Sequence, residues 1–100
     1  MLIKMFTVYD SKAEAYLPPI FFKTAGEALR VFADTCNDKN HQFNKHPGDF
    51  TLFAIGDFDD GNATLALLPT PTPLAKAVEY VQSLTEGAQI NALTQEEMKG

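Results

Sequence analysis

Three aspartates crowd the stretch "GDFDDGN", and clustered carboxylates are residue types that bind divalent cations or move protons. The three are Asp57, Asp59 and Asp60. A calcium-binding loop that began at Asp57 would need a glycine at its sixth position and a glutamate at its twelfth. Those positions hold Asn62 and Leu68. The stretch therefore does not fit a calcium loop.

The same aspartates suit a chain reversal better than a catalytic pair. Asp60-Gly61 is a strong two-residue hairpin signal, because a type I′ turn needs positive φ at both central positions. General acid/base catalysis needs a cleft that separates the pKa values of two carboxyl groups. A hairpin end leaves its carboxylates in water, so we interpret this stretch as a solvated turn.

Cys36, His41 and His46 form the pattern C-x4-H-x4-H, and all three side chains can bind zinc. The spacing matches no common structural zinc site, and no fourth ligand is evident. Cys36 also falls on the apolar face of a predicted helix, where a cysteine packs as a small hydrophobic residue. With no catalytic triad, phosphate-binding loop or CxxC motif in the chain, we expect no catalytic residue, no metal site, no cofactor and no enzyme activity.

The segment "NDKNHQFNKH" combines cations, side-chain amides and one aromatic residue. Single-stranded nucleic-acid sites use this mixture, with cations along the backbone and a ring on which a base can stack. The alternative is a solvated loop with its phenylalanine packed on the core, and composition alone favours that alternative. The candidate nucleic-acid-binding residues are Lys39, His41, Phe43, Lys45 and His46.

Composition limits the classes of partner. The chain has 100 residues and a net charge of −5, which argues against binding DNA mainly by phosphate neutralisation. Residues 1–47 carry six Lys/Arg and five acids, whereas residues 48–100 carry two Lys and eight acids. Any anion-binding surface should therefore come from the first half. No apolar run approaches a membrane span and no signal peptide is evident, so we expect a cytosolic protein without a membrane partner.

The hydrophobic pattern predicts a small antiparallel sheet. Ile3–Asp10 and Ala15–Lys23 are rich in β-branched and aromatic residues, and two prolines in the second run indicate an edge or a bulge. Phe50–Leu68 predicts a hairpin around Asp60-Gly61, with Phe58 opposite Ala63 and Gly56 opposite Leu65.

Two helices are predicted beside this sheet. The first begins at Ala25, capped by Thr24, and its apolar residues follow helical spacing to Cys36. Pro69–Pro73 is expected to be a stiff linker, with Thr72 capping a second helix that starts at Pro73 and stops at Gly87.

The predicted fold class is therefore α+β, with two N-terminal strands and a β-hairpin packed against one helix, and an additional C-terminal helix. Residues 1–87 form one domain and residues 88–100 a C-terminal tail that is expected to be flexible.

The second face of the predicted hairpin is more apolar than a water-facing surface requires. We expect the last helix or another subunit to cover it, and we expect a dimer, because eight Phe and three Tyr exceed what one thin sheet needs to bury. The candidate interaction surface comprises Phe53, Ile55, Leu68, Val78 and Val81.

The stretches "VYDSKAEAYLPPIFFKT", "EALRVFAD" and "HPGDFTLFAIGDFDDGNA", in this order, resemble the small nonstructural protein of gokushoviruses. These are tailless single-stranded DNA phages of the Microviridae. The similarity covers about residues 3–68, and "PPIFF" departs from the family pattern by inserting Ile20 between proline and phenylalanine.

The resemblance implies a non-capsid protein in the cytoplasm of the infected bacterium. Such proteins are described as DNA-binding, with a role in single-stranded genome synthesis or packaging, and no active-site residues come with the family. The residues and the resemblance leave two hypotheses: an accessory protein of phage genome replication that binds single-stranded DNA, or a module that engages phage or host replication proteins without nucleic acid.

Overall fold

The computed structural model describes residues 1–81. Within them the chain forms an antiparallel sheet with helices on one side, which confirms the predicted α+β class. The strands are β1 (Leu2–Asp10), β2 (Ala15–Tyr16), β3 (Ile20–Phe22), β4 (Phe50–Asp59) and β5 (Thr64–Lys76). The helices are α1 (Ala25–Cys36), the single turn α2 (Gln42–Lys45), a 3₁₀ turn (Pro47–Asp49) and helical residues 77–81.

The sheet order places β1 and β4 in the centre and β5 at one edge, while β2 and β3 share the other edge beside β1. The predicted second strand is thus two short strands, because Leu17, Pro18 and Pro19 interrupt its pairing. Leu17 still donates its backbone N–H to the Val8 carbonyl at 2.8 Å. The buried Thr7 hydroxyl donates to the Leu17 carbonyl at 2.6 Å, which holds this interruption against the sheet.

Helix α1 has the predicted bounds and cap. The Thr24 hydroxyl accepts the Glu27 backbone N–H at 3.1 Å, which satisfies one of the four free N–H groups of the first turn. The predicted apolar positions face the sheet, and Ala28, Phe32 and Cys36 are buried. They pack with Phe6, Val8, Phe43, Phe50 and Leu52 in one hydrophobic core.

The predicted hairpin exists, but its register differs from the prediction by two residues. Asp59 pairs with Thr64 and Phe58 with Leu65, so a longer loop replaces the two-residue turn at Asp60-Gly61. Ile55 is an extra residue in β4, since Gly56 and Ala54 pair with consecutive residues of β1. Such a bulge changes which side of the sheet the flanking residues face.

Pro69–Pro73 is part of β5, so the prediction of a linker here was wrong. The strand continues to Lys76, and the helical residues begin at 77, so neither the Thr72 cap nor the start at Pro73 is correct. Prolines are tolerated because β5 is an edge strand and because residues 68–71, which lie opposite Ile55, have no paired residue in β4. The predicted end of the helix at Gly87 and the tail 88–100 lie outside the described residues.

The side of the sheet away from α1, here called the outer face, is rich in large apolar side chains. The register and the ring contacts place these residues on it: Ile3, Tyr9, Tyr16, Phe21, Phe53, Phe58, Leu65 and Leu67. No described helix lies on this side, but Met5 and Thr7 at its centre are buried, and Leu17 and Pro19 lie against Thr7. The apolar second face expected from the sequence is therefore present, but the bulge at Ile55 changes which residues lie on it.

Candidate functional site

The hairpin tip, residues 57–62, uses its polar side chains to shape the turn. The Asp59 carboxylate accepts the Gly61 backbone N–H at 2.9 Å, and the Asn62 side-chain oxygen accepts the Thr64 N–H at 3.0 Å. Short side chains that accept backbone N–H groups two residues ahead are typical of Asx turns. The tip is therefore a turn, as predicted.

The chain's amino group also contacts this tip. The Met1 ammonium donates to the Asp60 carboxylate at 2.9 Å and lies 3.7 Å from Asp59. The hydrogen bond and charge of Asp60 raise the pKa of this amino group above its usual value. Asp59 thus has a backbone and a terminal partner, and Asp60 has the terminal partner. Among residues 1–81, no three His, Cys, Asp or Glu side chains are grouped closely enough to hold a metal ion.

Cys36 and the two histidines have separate structural roles. Cys36 is fully buried in the core, and this burial raises the pKa of its thiol to about 11. His41 precedes α2, and its Nδ1 accepts the Phe43 backbone N–H at 3.1 Å. His46 is exposed. Because a zinc site needs thiolate and free imidazole nitrogens, this arrangement does not favour zinc binding.

The lysine loop, residues 39–48, is held by α2 rather than being irregular throughout. The Asn44 side-chain amide donates to the Cys36 carbonyl at 2.8 Å, which ties α2 to the end of α1. The following 3₁₀ turn is tied to the β1–β2 turn, because Ser11 N–H donates to the Asp49 carbonyl at 2.8 Å. Periodicity could not reveal α2, since four residues are too short to show it.

Phe43 anchors the lysine loop in the core. Its ring centroid lies 4.6 Å from that of Phe50, 5.6 Å from that of Phe32 and 4.4 Å from the His41 ring. Only 6% of Phe43 is exposed, so this ring offers no face to a base and the stacking role considered for it is wrong. Lys39, Lys45 and His46 remain exposed on the surface of the loop.

The residues expected to form an interaction surface do not share one surface. Phe53 lies on the outer face, where its ring centroid is 5.6 Å from that of Tyr16. Ile55, at the bulge, lines a cavity with Thr7, Tyr16, Leu17, Pro19 and Pro71. Leu68 lines a different cavity on the α1 side with Phe6 and Ala25, and Val81 packs against the core. Val78 is half-buried.

Sequence reasoning missed most of the outer face. The exposed fraction is 49% for Tyr16, 48% for Phe21, 57% for Leu65 and 68% for Leu67. Phe21, Ile3, Phe58 and Leu65 together line an open apolar depression of about 370 Å³. The alternation within "IFF" could have indicated that Phe21 and Phe22 face opposite sides. Nothing local could have revealed the bulge that moves Leu65 and Leu67 outward.

An apolar cavity of about 260 Å³ separates α1 from the edge formed by β2 and β3. Its walls include Leu17, Ile20, Phe22, Val31 and Phe32, and no titratable side chain lines it. Thr35 contributes a hydroxyl, which donates to the Val31 carbonyl at 2.7 Å. This lining can accommodate apolar groups but supplies no acid, base or nucleophile. Within residues 1–81, no helix is both long and apolar enough to cross a membrane.

Residues 3–80 match a family model described as Phage ORF5 protein. The chain belongs to this family of phage proteins. No curated protein and no solved structure matches it. The matched range runs from the first residues of β1 into the helical residues after β5, so it spans the sheet, α1 and the lysine loop of this chain.

Proposed function

We propose that this Phage ORF5 family member is a non-catalytic accessory protein of phage genome replication that binds single-stranded DNA. Its place of action is the cytoplasm of the infected bacterium, and the phage is a gokushovirus of the Microviridae. Membership of a phage family supports the general setting. The quoted sequence stretches resemble the gokushovirus nonstructural protein and support the link to single-stranded genome synthesis or packaging.

The lysine loop is the observation that carries the proposal. It displays Lys39, Lys45 and His46 to solvent, together with Asn40 and Gln42, and contains no acid between residues 39 and 48. Cations and amides of this kind contact phosphates and sugars without reading sequence. The buried Phe43 and the Asn44 bond to α1 fix the loop, so little conformational freedom is lost on binding.

The same geometry sets the type and strength of binding. Because Phe43 is buried, the loop can contact the backbone but cannot stack a base on this ring. Two lysines that neutralise two phosphates of a single strand give a slope of log K against log salt of about −1.4. With the net charge of −5 opposing association, binding by one copy should be weak.

Fluorescence anisotropy with a labelled oligothymidine tests the proposal. Between about 20 and 200 mM salt the affinity should fall roughly 25-fold, which follows from the slope above. Lys39→Ala/Lys45→Ala should remove most of this salt dependence. Lys4→Ala/Lys23→Ala is the matched control, because it removes the same charge from exposed positions outside the loop and should bind like the wild type.

Identical isotherms for the wild type and the loop variant would contradict the loop as the site. Equal losses in both double variants would show that only net charge matters. Absence of binding at the lower salt concentration would contradict the function itself.

The second candidate is a module that engages phage or host replication proteins without binding nucleic acid. The exposed apolar side chains of the outer face favour it, since monomeric proteins seldom expose large contiguous apolar patches. Surface plasmon resonance against purified replication proteins tests this candidate. Binding that Leu67→Glu abolishes, with no response to oligothymidine, would favour it over the first.

A further inference from the structure

The outer face is nearly free of charge. Within residues 1–81, the strand register puts one charged side chain on this side, Lys76, opposite Thr51 and away from the hairpin tip. The remaining outer positions of the strands are apolar, aromatic or hydroxyl-bearing, and Leu65 and Leu67 are more than half exposed. A polyanion needs several cations along its path, so nucleic acid does not fit this face. An apolar protein surface does.

Both edges of the sheet oppose pairing with another chain. At one edge, β5 contains Pro69, Pro71 and Pro73, which lack a backbone N–H. At the other edge, Pro18 and Pro19 interrupt the line of β2 and β3. Prolines in edge strands are a common device against edge-to-edge association. A partner of this sheet should therefore pack against its face rather than extend it.

The chain leaves the described sheet on the side opposite to the outer face. After β5, Ala77 is fully buried, and the Tyr80 ring lies 6.0 Å from Phe32 of α1 in a T-shaped contact. Val81 also packs against the core on the α1 side. The helical residues 77–81 thus add to the layer that already covers the inner face and leave the outer face uncovered.

We propose that a second copy of this chain covers the outer face, so that two sheets pack face to face in a two-fold symmetric dimer. Strands about 4.8 Å apart and ~3.4 Å per residue give this four-strand-wide face, nine residues long in β1, an area of roughly 600 Å². Stable dimers bury about 800 Å² per partner. The face is thus smaller than this average and reaches the lower end of the standard range, about 600 Å² per partner.

Charge selects the direction of packing. The hairpin tip carries three aspartates, and the lysine loop at the other end of β4 carries Lys39 and Lys45. With strands parallel between the sheets, the two acidic tips would meet and repel. With strands antiparallel, each tip approaches the end of the partner that carries the lysine loop. The antiparallel dimer is therefore favoured, and it places the two lysine loops at opposite ends of the assembly.

Light scattering and sedimentation of the full chain test the dimer. At about 100 µM the wild type should have twice the chain mass of 11.0 kDa. Leu65→Glu places a carboxylate in the interface twice per dimer and should raise the dimer dissociation constant roughly 100-fold. Leu68→Glu is the matched control, since Leu68 is also exposed and on β5 but lies on the α1 side, and it should remain dimeric.

A mixed-label NMR sample tests the direction of packing. A nitroxide attached to Lys45→Cys in an unlabelled copy should broaden amide signals of residues 57–62 in an isotope-labelled partner. The buried Cys36 thiol should not react with the label at neutral pH. Broadening of the partner's residues near position 45 instead would contradict the antiparallel arrangement.

Several results would overturn the proposal. A wild type that remains at 11.0 kDa at this concentration would do so, including the case in which residues 82–100 protect the outer face within one copy. Equal dimerisation of Leu65→Glu and wild type would exclude this face as the interface. If the wild type is monomeric and Leu65→Glu loses oligothymidine binding, the outer face would be assigned to nucleic acid. Failure of the lysine-loop experiment alone leaves these outcomes unchanged, so the two proposals fail separately.

Discussion

Gly56→Ala should destabilise the protein, because a Cβ at Gly56 would overlap the backbone of β5. Among the described glycines, Gly56 has the closest neighbouring atoms. A Cβ at this position would lie 2.4 Å from the Ala66 carbonyl oxygen and 2.9 Å from the Leu67 Cα. Both atoms belong to the backbone of β5, so no side-chain rotation can relieve the overlap. No described glycine has positive φ, so the requirement for glycine here is one of space rather than of conformation.

The magnitude follows from two opposing terms. Alanine in place of a strand glycine normally stabilises by about 0.5–1 kcal/mol, because it restricts the unfolded chain. To make room for the Cβ, β5 must move away from β4 by up to about 1 Å. This overpacking costs about 1–3 kcal/mol and also weakens one or two ladder hydrogen bonds, each worth ~1 kcal/mol. The net expectation is a loss of about 2 kcal/mol in the free energy of unfolding.

Urea unfolding followed by circular dichroism, at one fixed protein concentration, measures this loss. Gly48→Ala is the matched control, because a Cβ there would meet nothing within 4 Å. The control should be neutral or slightly stabilising. A melting temperature lowered by about 10 °C should accompany the loss in Gly56→Ala. Equal stability of Gly56→Ala and Gly48→Ala would refute the close approach of the two strands at this point.

Three further perturbations test the core and the caps. Burial raises the pKa of the Cys36 thiol from 9.0 to about 11. The folded state therefore keeps its full stability below pH 9 and loses roughly 2–3 kcal/mol as the pH rises to 11. Urea unfolding at several pH values should show this loss in the wild type and not in Cys36→Ala, and parallel curves for the two would contradict it. Thr24→Ala removes the α1 cap and should cost about 1 kcal/mol by the same assay, whereas no change would show that Thr24 does not cap α1 in solution. Thr7→Val leaves the Leu17 carbonyl without its donor and should cost about 1–2 kcal/mol, most of which Thr7→Ser should restore. A Thr7→Val protein as stable as the wild type would contradict the 2.6 Å bond.

Local patterns predicted the elements that local interactions determine. Helix α1 was predicted from its cap and apolar spacing, because both signals lie within twelve consecutive residues. The hairpin was predicted because Asp and Gly favour a reversal wherever they occur. The burial of Phe43, one of two alternatives for the loop, became definite only once Phe32 and Phe50 were brought to the same core.

The elements that depend on tertiary position escaped prediction. Pro69–Pro73 has the composition of a linker, and only its place at the edge of the sheet makes it a strand. The extra residue Ile55 leaves no local mark, yet it determines that Leu65 and Leu67 face outward while Leu52 enters the core. The exposed outer face is therefore a property of strand register, which short-range sequence patterns do not encode.

We propose that this protein acts by contacting other macromolecules, with the lysine loop as its DNA-binding site and with Asp59 and Asp60 as residues of the hairpin tip. Chemical-shift mapping of the isotope-labelled protein with oligothymidine at low salt tests this claim most directly. The shifts should be confined to amides of residues 39–48 and of the adjoining β1–β2 turn. Shifts centred on the hairpin tip or the outer face, or none at saturating oligothymidine, would contradict it.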